Sequence, residues 1–379
     1  TLTRLQTLVF GLVILALGAG ALLRVELPSP PVQAGDWLQG GAARDFERHY
    51  DQAFPTRDFG TNLWAALEYR LFNEGRHDLV IGREGWLFSA EEFDTYPDAE
   101  AEVERHLALI DWVHQRLAAR GVVLLVAPVP AKLRLYGEQL DPGGRRPAAI
   151  RARLYERLLD ELDRQGIPAP NLLGSLERCR AQGEVFLRTD THWTPRGADC
   201  AAQAMAMVAR ARRLARADAA GQYRTLIDNP AAAHEGDLFR FLPLAPHFES
   251  WLPAVEAYEQ RRTERVGAGA SAGLLDETAA PEIVLVGTSY SADRRWNFVG
   301  ALQEAFGEDI VSYAVDGRGP FQPMLDYLDD PEARQQPPRL LIWEIPERYL
   351  PRPVDLRGQG LPTALGRPAP QPPSPRSPT

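Results

Sequence analysis

The chain has 379 residues, enough to bury a large hydrophobic core in one big domain or in two of ordinary size. Its formal net charge is −9, with 42 Lys and Arg residues against 51 Asp and Glu residues. This composition provides no basic excess to neutralise phosphates, so it excludes a general nucleic-acid-binding protein. It also argues against tight binding of an acidic polymer.

An uncharged segment runs from Leu5 to Leu23, directly after Arg4. As a helix it would span roughly 28 Å, which is close to the thickness of the hydrocarbon core of a membrane. We therefore expect residues 1–25 to form a membrane anchor or signal, followed by a proline-bearing linker over 26–40. We favour an uncleaved anchor, but a cleaved signal peptide is the alternative, because Val-Gln-Ala at 32–34 resembles a cleavage site. In both cases the body of the protein is exported.

Helical and strand patterns alternate over most of the remaining chain. Apolar residues at helical spacing predict helices over 43–53, 62–72, 99–120, 150–165, 175–182, 194–213, 294–306 and 321–329. Short apolar runs predict strands over 79–82, 85–88, 121–128, 169–173, 185–187, 282–286, 310–315 and 339–345. Continuous apolar strands between helices are typical of a parallel sheet covered on both faces, so we predict an α/β fold.

Three stretches give weaker signals. The helical and strand spacing of apolar residues becomes weak from 218 to 265, and the Gly- and Ala-rich stretch 266–280 is typical of a loop or lid. The proline-rich stretch 351–379 predicts a disordered tail.

Asp190 and His192 lie two residues apart, just beyond the predicted strand 185–187. In an extended segment such side chains project to the same side, so the carboxylate can fix the tautomer of the imidazole. Thr194 and Pro195 are typical of a helix start, which would hold His192 just outside the helix. The pair would supply the base of a catalytic triad and the residue that orients it.

Ser289 follows the predicted strand 282–286 and Gly287 at a turn into a helix. A serine at such a turn is exposed at the carboxyl edge of the sheet, beside backbone N–H groups that can hold an oxyanion. We therefore predict acyl transfer with Ser289 as nucleophile, His192 as base and Asp190 as its orienting residue. Ser291 competes for the nucleophile's role and could instead cap the next helix; we favour Ser289 because it comes directly after the Gly-Thr turn.

Other interpretations of these residues stay open. The Asp190–His192 pair could be half of a metal site or a structural hydrogen bond. No His-x-x-x-His or Cys-x-x-Cys pairing occurs in the sequence, so we predict no metal. Cys179 and Cys200 flank the loop and could form a disulfide in an oxidising compartment, or be two small buried side chains.

Several sequence blocks resemble the alginate O-acetyltransferase family. They cover residues 71–75, 82–88, 128–136, 190–194, 287–291 and 343–348. The combination of Asp-Thr-His-Trp-Thr at 190–194 with Gly-Thr-Ser-Tyr-Ser at 287–291 is the specific part. The resemblance implies a circularly permuted SGNH-hydrolase-like domain over about 41–350, a three-layer sandwich with a mostly parallel sheet. It also implies Asp190, His192 and Ser289 as the triad, in the family's order along the chain.

The resemblance carries further expectations. It implies a periplasmic enzyme anchored to the inner membrane, and as partners a membrane-bound O-acyltransferase and other polysaccharide acetylation proteins. It implies no cofactor, because the partner delivers the acetyl group, and an acidic polysaccharide acceptor, with alginate first. AlgX-type members carry a carbohydrate-binding module after the catalytic domain, whereas a proline-rich tail stands here. This difference favours the AlgJ type, and with it a role as an acetyl relay beside that of an O-acetyltransferase.

Further residues near the predicted triad are candidates for oxyanion or substrate contacts. They are Tyr290, Tyr313, Gly317, Trp193, Arg294 and Asn297. Two other functions remain possible. A polysaccharide acetylesterase would use the same triad with water as the acceptor, and a non-catalytic component of an acetylation complex would not need the triad.

Overall fold

The computed structural model describes residues 2–24, 40–54, 56–216, 221–267, 282–356, 360–362 and 365. Its helices are α1 Leu2–Leu22, α2 Gly41–Ala53, α3 Arg57–Leu67, α4 Ala99–Ala118, α5 Lys132–Tyr136, α6 Ala149–Ala152, α7 Leu154–Arg164, α8 Leu172–Arg180, α9 Pro195–Ala211, α10 Ser289–Ala292, α11 Phe298–Phe306, α12 Phe321–Asp329 and α13 Pro331–Gln335. Its strands are β1 Leu79–Ile81, β2 Leu87–Ser89, β3 Val123–Val129, β4 Tyr223–His234, β5 Glu256–Arg265, β6 Ile283–Val286, β7 Ile310–Ser312 and β8 Leu340–Pro346.

Four of these strands form a parallel sheet in the order β3-β8-β6-β7. Leu340 of β8 pairs with Val123 on one side and with Ile283 on the other, and Ile283 pairs in turn with Ile310. Because all four strands run the same way, their carboxyl ends meet at one edge. In open α/β sheets, ligands bind outside that edge.

The sheet separates two hydrophobic cores because successive side chains along a strand point to opposite faces. On one face, Leu125, Leu285 and Ile342 pack with apolar residues of α8, α9 and α11. On the other face, neighbouring residues such as Val284 and Leu341 pack with α4, α7 and α12. Helices thus cover both faces, and the predicted α/β class is confirmed.

The described residues divide into two compact units. The smaller unit comprises residues 1–76 and 240–252, and the larger comprises 77–239 and 253–379. Within the smaller unit, the Asn62 side chain on α3 donates to the carbonyl of Pro243 at 2.6 Å. The larger unit holds the parallel sheet and two antiparallel pairs, β1-β2 and β4-β5.

The N-terminal apolar segment forms helix α1. Within the described part of the chain, no helix combines the length and the apolar character that crossing a membrane requires.

Several predicted elements differ in the structure. The strand predicted over 169–173 is wrong, because Asn171 caps α8 by accepting from the Gly174 N–H at 3.0 Å. The strand predicted over 185–187 is reduced to one bridge, between Phe186 and Trp193. The helix predicted over 294–306 is split by Asn297, which adopts the left-handed conformation with φ 52°.

The weakly patterned region contains the hairpin β4-β5, which was not predicted. Most of the loop or lid predicted over 266–280, nearly all of the linker over 26–40 and most of the tail over 351–379 lie outside the described residues.

Candidate active site

The segment that carries Asp190 and His192 is a tight loop between α8 and α9. The Leu187 N–H donates to the His192 carbonyl at 3.1 Å, and the Thr194 N–H donates to the Val185 carbonyl at 3.0 Å. Thr194 caps α9 by accepting from the Gly197 N–H. The predicted helix start therefore holds the loop as the sequence indicates.

A disulfide joins the two helices that flank this loop. It links Cys179 in α8 to Cys200 in α9 across a sequence separation of 21 residues. The structure thus favours the disulfide over two separate buried thiols.

Lys132, the single lysine in the sequence, lies beneath the same loop. Its Nζ donates to the carbonyl oxygens of Leu87, Arg188 and Asp190 at 2.6, 2.9 and 3.0 Å. Burial lowers the pKa of Lys132 to about 8, and nearby carboxylates led by Glu92 oppose that shift. The group therefore remains an ammonium at neutral pH, and its three N–H bonds match three carbonyl acceptors.

Ser289 begins the short helix α10 at the carboxyl end of β6. Thr288 before it caps the helix, and its N–H donates to the Glu344 carboxylate at 2.7 Å. A Cβ at Gly287 would lie 2.5 Å from Glu344 Oε2, so only glycine allows this approach. The buried carboxylate of Glu344 also accepts from the Ser291 hydroxyl at 3.0 Å, which turns Ser291 away from solvent.

The two segments bring Ser289, His192 and Asp190 into a continuous hydrogen-bonded line. Ser289 Oγ lies 2.8 Å from His192 Nε2, and His192 Nδ1 lies 2.6 Å from Asp190 Oδ1. Asp190 is fully buried, His192 is 7% exposed, and Ser289 is half-buried. The hydroxyl is therefore at hydrogen-bonding distance from a base whose other nitrogen faces a carboxylate, the arrangement that activates a serine nucleophile.

Asp190 is held by four N–H donors. Oδ1 accepts from His192 Nδ1 and from the His192 backbone at 2.9 Å, and Oδ2 accepts from His234 Nε2 at 2.7 Å and from the Asp237 backbone at 3.0 Å. Burial by itself would raise the pKa of Asp190, but the hydrogen bonds from His192 and His234 outweigh it and hold the pKa below its usual value. Asp190 is therefore a carboxylate over the whole physiological range.

A cluster of Asp190, His192 and Asp237 places three potential metal-ligand atoms within 4.8 Å of one another. Each Asp190 oxygen already accepts two N–H bonds, and the Asp237 oxygens accept from the backbone and hydroxyl of Thr191 at 2.8 and 2.7 Å. The carboxylates are thus oriented toward donors, an arrangement that suits a hydrogen-bonded triad better than a cation.

Comparison with known proteins identifies the family of this chain. Residues 79–347 match the family model described as SGNH hydrolase-like domain, acetyltransferase AlgX. The probable alginate O-acetylase AlgJ of Pseudomonas aeruginosa is 46% identical over 326 residues, which are 84% of this chain and 82% of the relative. The chain belongs to the alginate O-acetylase family. The predicted resemblance is confirmed, and the protein is an O-acetyltransferase with an SGNH hydrolase-like domain.

Two further members of this alginate O-acetylase family refine the placement. The O-acetyltransferase domain of Pseudomonas putida AlgJ is 42% identical with a TM-score of 0.67, over 73% of this chain and 94% of that structure. The alginate biosynthesis protein AlgX of Pseudomonas syringae pv. tomato is 28% identical, over 72% of this chain and 55% of the relative. The chain is therefore more similar to AlgJ than to AlgX, as the sequence indicates.

Two of the additional predicted site residues support the loop through buried contacts. The Tyr290 hydroxyl donates to the Thr191 carbonyl at 2.6 Å, and Trp193 Nε1 donates to the Tyr290 carbonyl at 3.2 Å. Both side chains are at most 1% exposed. Their contacts fix His192 relative to the Ser289 turn.

The other four predicted residues have different surroundings. Asn297 donates to the Thr263 hydroxyl at 3.0 Å, and Tyr313 packs edge-on against Tyr327. Arg294 and Gly317 are exposed. Among the described contacts, none brings these four residues to Ser289.

Several residues at the site were missed by the sequence analysis. They are Lys132, His234, Asp237, Trp296 and Glu344. In the sequence, Gly236 could have indicated two of them, His234 and Asp237, as residues close to the catalytic loop. A Cβ there would lie 2.1 Å from the Thr189 carbonyl oxygen, so this glycine lets His234 and Asp237 approach the catalytic loop.

Proposed function

We propose that the protein transfers acetyl groups through an acetyl-serine intermediate on Ser289. The observation that carries this proposal is the line of hydrogen bonds from Ser289 Oγ through His192 to Asp190, with distances of 2.8 and 2.6 Å. Membership of an O-acetyltransferase family supports it.

In the first half of the reaction, Ser289 Oγ attacks the carbonyl carbon of the acetyl donor. His192 Nε2 takes the hydroxyl proton, and Asp190 stabilises the imidazolium that forms. When the tetrahedral intermediate collapses, the bond from the acetyl carbon to the donor's leaving group breaks, and that group receives the proton from His192. Acetyl-Ser289 and a free, protonated donor result.

In the second half, a hydroxyl group of the acceptor attacks the acetyl-Ser289 ester. His192 takes the proton of that hydroxyl and returns it to Ser289 Oγ as the ester bond breaks. The acceptor leaves as an acetyl ester, and the triad returns to its starting state.

The Ser289 backbone N–H is our first candidate for the oxyanion donor. It stands at the first position of α10, where a helix N–H has no intrahelical acceptor. The Tyr290 N–H is a second donor, although it also faces Thr288 Oγ1 at 3.3 Å. Removing one donor of an oxyanion hole typically costs about 100-fold or more in rate.

The curated names of the relatives indicate where the reaction would operate. Since they are alginate O-acetylases and alginate biosynthesis proteins, we propose that the acceptor is an exopolysaccharide, alginate first. We propose a periplasmic location, and a membrane-bound O-acyltransferase that supplies the acetyl group in place of a cofactor.

The test compares the full-length protein with Ser289→Ala and Ser291→Ala, a matched pair two residues apart. Acetyl release from 4-nitrophenyl acetate, acetyl transfer to mannuronate oligomers and the mass of the Ser289 peptide are measured. We expect Ser289→Ala to lose transfer and the acetyl-peptide, whereas Ser291→Ala keeps both. Transfer by Ser289→Ala at the wild-type rate would refute the proposal, and acetate release without transfer would identify an esterase.

A further inference from the structure

The catalytic carboxylate has a second imidazole partner that the triad does not use. His234, the last residue of β4, is 4% exposed, and its Nε2 lies 2.7 Å from Asp190 Oδ2. The oxygen that faces His192 is Oδ1. The two histidines therefore hold opposite oxygens of one carboxylate.

The tautomer of His234 follows from its other neighbour. Arg295 Nη1 lies 3.2 Å from His234 Nδ1. A guanidinium group only donates hydrogen bonds, so Nδ1 is the acceptor and the ring proton stands on Nε2, which faces Asp190. Arg295 is itself fixed by Asp293, which accepts from its Nε at 2.9 Å, and by its position over the Trp296 ring at 5.0 Å.

We propose that His234 is a positioning residue for catalysis, which holds the Asp190 carboxylate for His192 in a tautomer that Arg295 sets. This inference rests on the proposed function of the triad. Two consequences follow from the geometry. His234 fixes the plane of the carboxylate, so that Oδ1 stays aligned with His192 Nδ1. Arg295 donates to His234 Nδ1, so the ring carries its proton on Nε2, where it donates to Asp190.

The aromatic packing supports a role in alignment. Trp296 is fully buried and stacks on His192 with a ring separation of 5.5 Å and an angle of 24°. The same indole meets the His234 ring edge-on at 5.3 Å. One indole thus contacts both imidazoles, so a displacement of either imidazole would change the packing of the other.

The charged and titratable groups around His234 come from several elements. They are Asp190 and His192 on the catalytic loop, Asp237 after β4, Glu256 and Tyr258 on β5, Asp293 and Arg295 before α11, and Lys132 on α5. Arg295 is the positive group in direct contact with the imidazole. Its removal therefore takes away the donor that sets the His234 tautomer.

The test uses two matched substitutions at His234 in the full-length protein. In His234→Gln the side-chain amide nitrogen can take the place of Nε2 and still donate to Asp190. In His234→Asn the amide is one methylene shorter and cannot reach. We expect His234→Asn to lose about 10- to 100-fold in kcat with little change in KM, because misplaced catalytic groups cost that much, and His234→Gln to recover most of the loss.

Three further measurements separate positioning from a merely structural effect. Thermal unfolding establishes that the variants are folded, and His77→Gln, at an exposed histidine, sets the baseline. The downfield NMR signal of the His192 Nδ1 proton should shift in His234→Asn and stay in His234→Gln. The same signal should shift in Arg295→Met, which cannot donate to His234 Nδ1, and stay in Arg295→Lys, which can.

Equal activity of the Gln and Asn variants overturns the proposal, and so does an unchanged His192 Nδ1 proton signal in Arg295→Met. The Ser289→Ala variant separates this result from failure of the proposed function. If Ser289→Ala remains active, the triad itself is wrong; if it is inactive while both His234 variants match the wild type, only the positioning role is wrong.

Discussion

Replacing Lys132 with methionine tests how the catalytic loop is supported. Methionine has a similar length and fits among the apolar neighbours, but it cannot donate to the carbonyl oxygens of Leu87, Arg188 and Asp190. The Arg188 carbonyl keeps the Leu87 N–H as a donor at 2.8 Å, whereas each of the other two buried acceptors costs about 1–3 kcal/mol when it loses the lysine. Because water can hydrogen-bond to some of these carbonyls in the variant, we expect the free energy of unfolding to fall by about 3–5 kcal/mol. This loss is a large part of the total free energy of unfolding of a typical protein, about 5–15 kcal/mol.

The measurement is urea unfolding followed by tryptophan fluorescence, together with acetyl transfer at a temperature where the variant is folded. Arg146→Met serves as the control, because Arg146 is exposed and its described hydrogen bond goes to the nearby Pro142 carbonyl. We expect that control to stay within about 0.5 kcal/mol of the wild type. We also expect a lower kcat in Lys132→Met, because one of the three carbonyls belongs to Asp190 itself. A loss below about 1 kcal/mol with normal kcat would show that Lys132 does not support the loop.

Three further predictions follow from the described contacts. Asp190→Asn should lower kcat by about 10³- to 10⁴-fold in the transfer assay with little loss of stability, because an amide can donate to His192 and favour the wrong tautomer. Activity near that of the wild type would contradict the triad. Burial, aided by Arg105, lowers the pKa of His106 to about 3. Between about pH 6.5 and pH 3 the unfolded chain therefore binds a proton at His106 and the folded chain does not, so the free energy of unfolding should fall as the pH is lowered through that range. The difference between the urea midpoints at pH 7 and pH 5 should therefore be smaller in His106→Asn than in the wild type. An equal difference in the two proteins would contradict this prediction. Replacing Cys179 and Cys200 with serine should cost about 3 kcal/mol of unfolding free energy, because the bridge closes a short loop, and an unchanged urea midpoint would count against that contribution.

The central sheet could be predicted because its strands carry their own signal. β3, β6 and β8 are buried along nearly their whole length and apolar except for Glu344, a pattern typical of strands in a doubly covered sheet. Asp190, His192 and Ser289 could be placed together because each stands directly after or near a predicted strand end. Ser289 does follow β6 at the carboxyl edge of the parallel sheet. The strand predicted before Asp190 is only one bridge, so the parallel-strand argument holds for the serine and not for the Asp190–His192 pair.

The hairpin β4-β5 could not be predicted from such patterns. Most of its residues are exposed or half-buried, so hydrophobic alternation is weak, and its two strands pair across more than twenty residues of chain. His234 was missed for that reason, since it is the strand's last residue that reaches Asp190. The pairing depends on tertiary contacts, which a local reading of propensity does not contain.

The error at 169–173 has a different cause. A short apolar run fits either a buried strand or the first turn of a helix, and length alone does not decide between them. Asn171 decides, because its side chain accepts from the Gly174 N–H and starts α8. The proline-flanked asparagine was therefore the more informative signal.

The single lysine has a chemical consequence for an enzyme that handles activated acetyl groups. Exposed ε-amines are nucleophiles and take up acyl groups from reactive esters, whereas guanidinium groups do not. In these 379 residues every other basic side chain of the Lys and Arg class is arginine, and the one ε-amine is 1% exposed. An amine-reactive reagent applied to the folded protein should therefore leave Lys132 unlabelled. Any slow labelling of Lys132 would require the loop that carries His192 to open, so its rate would report how often that opening occurs.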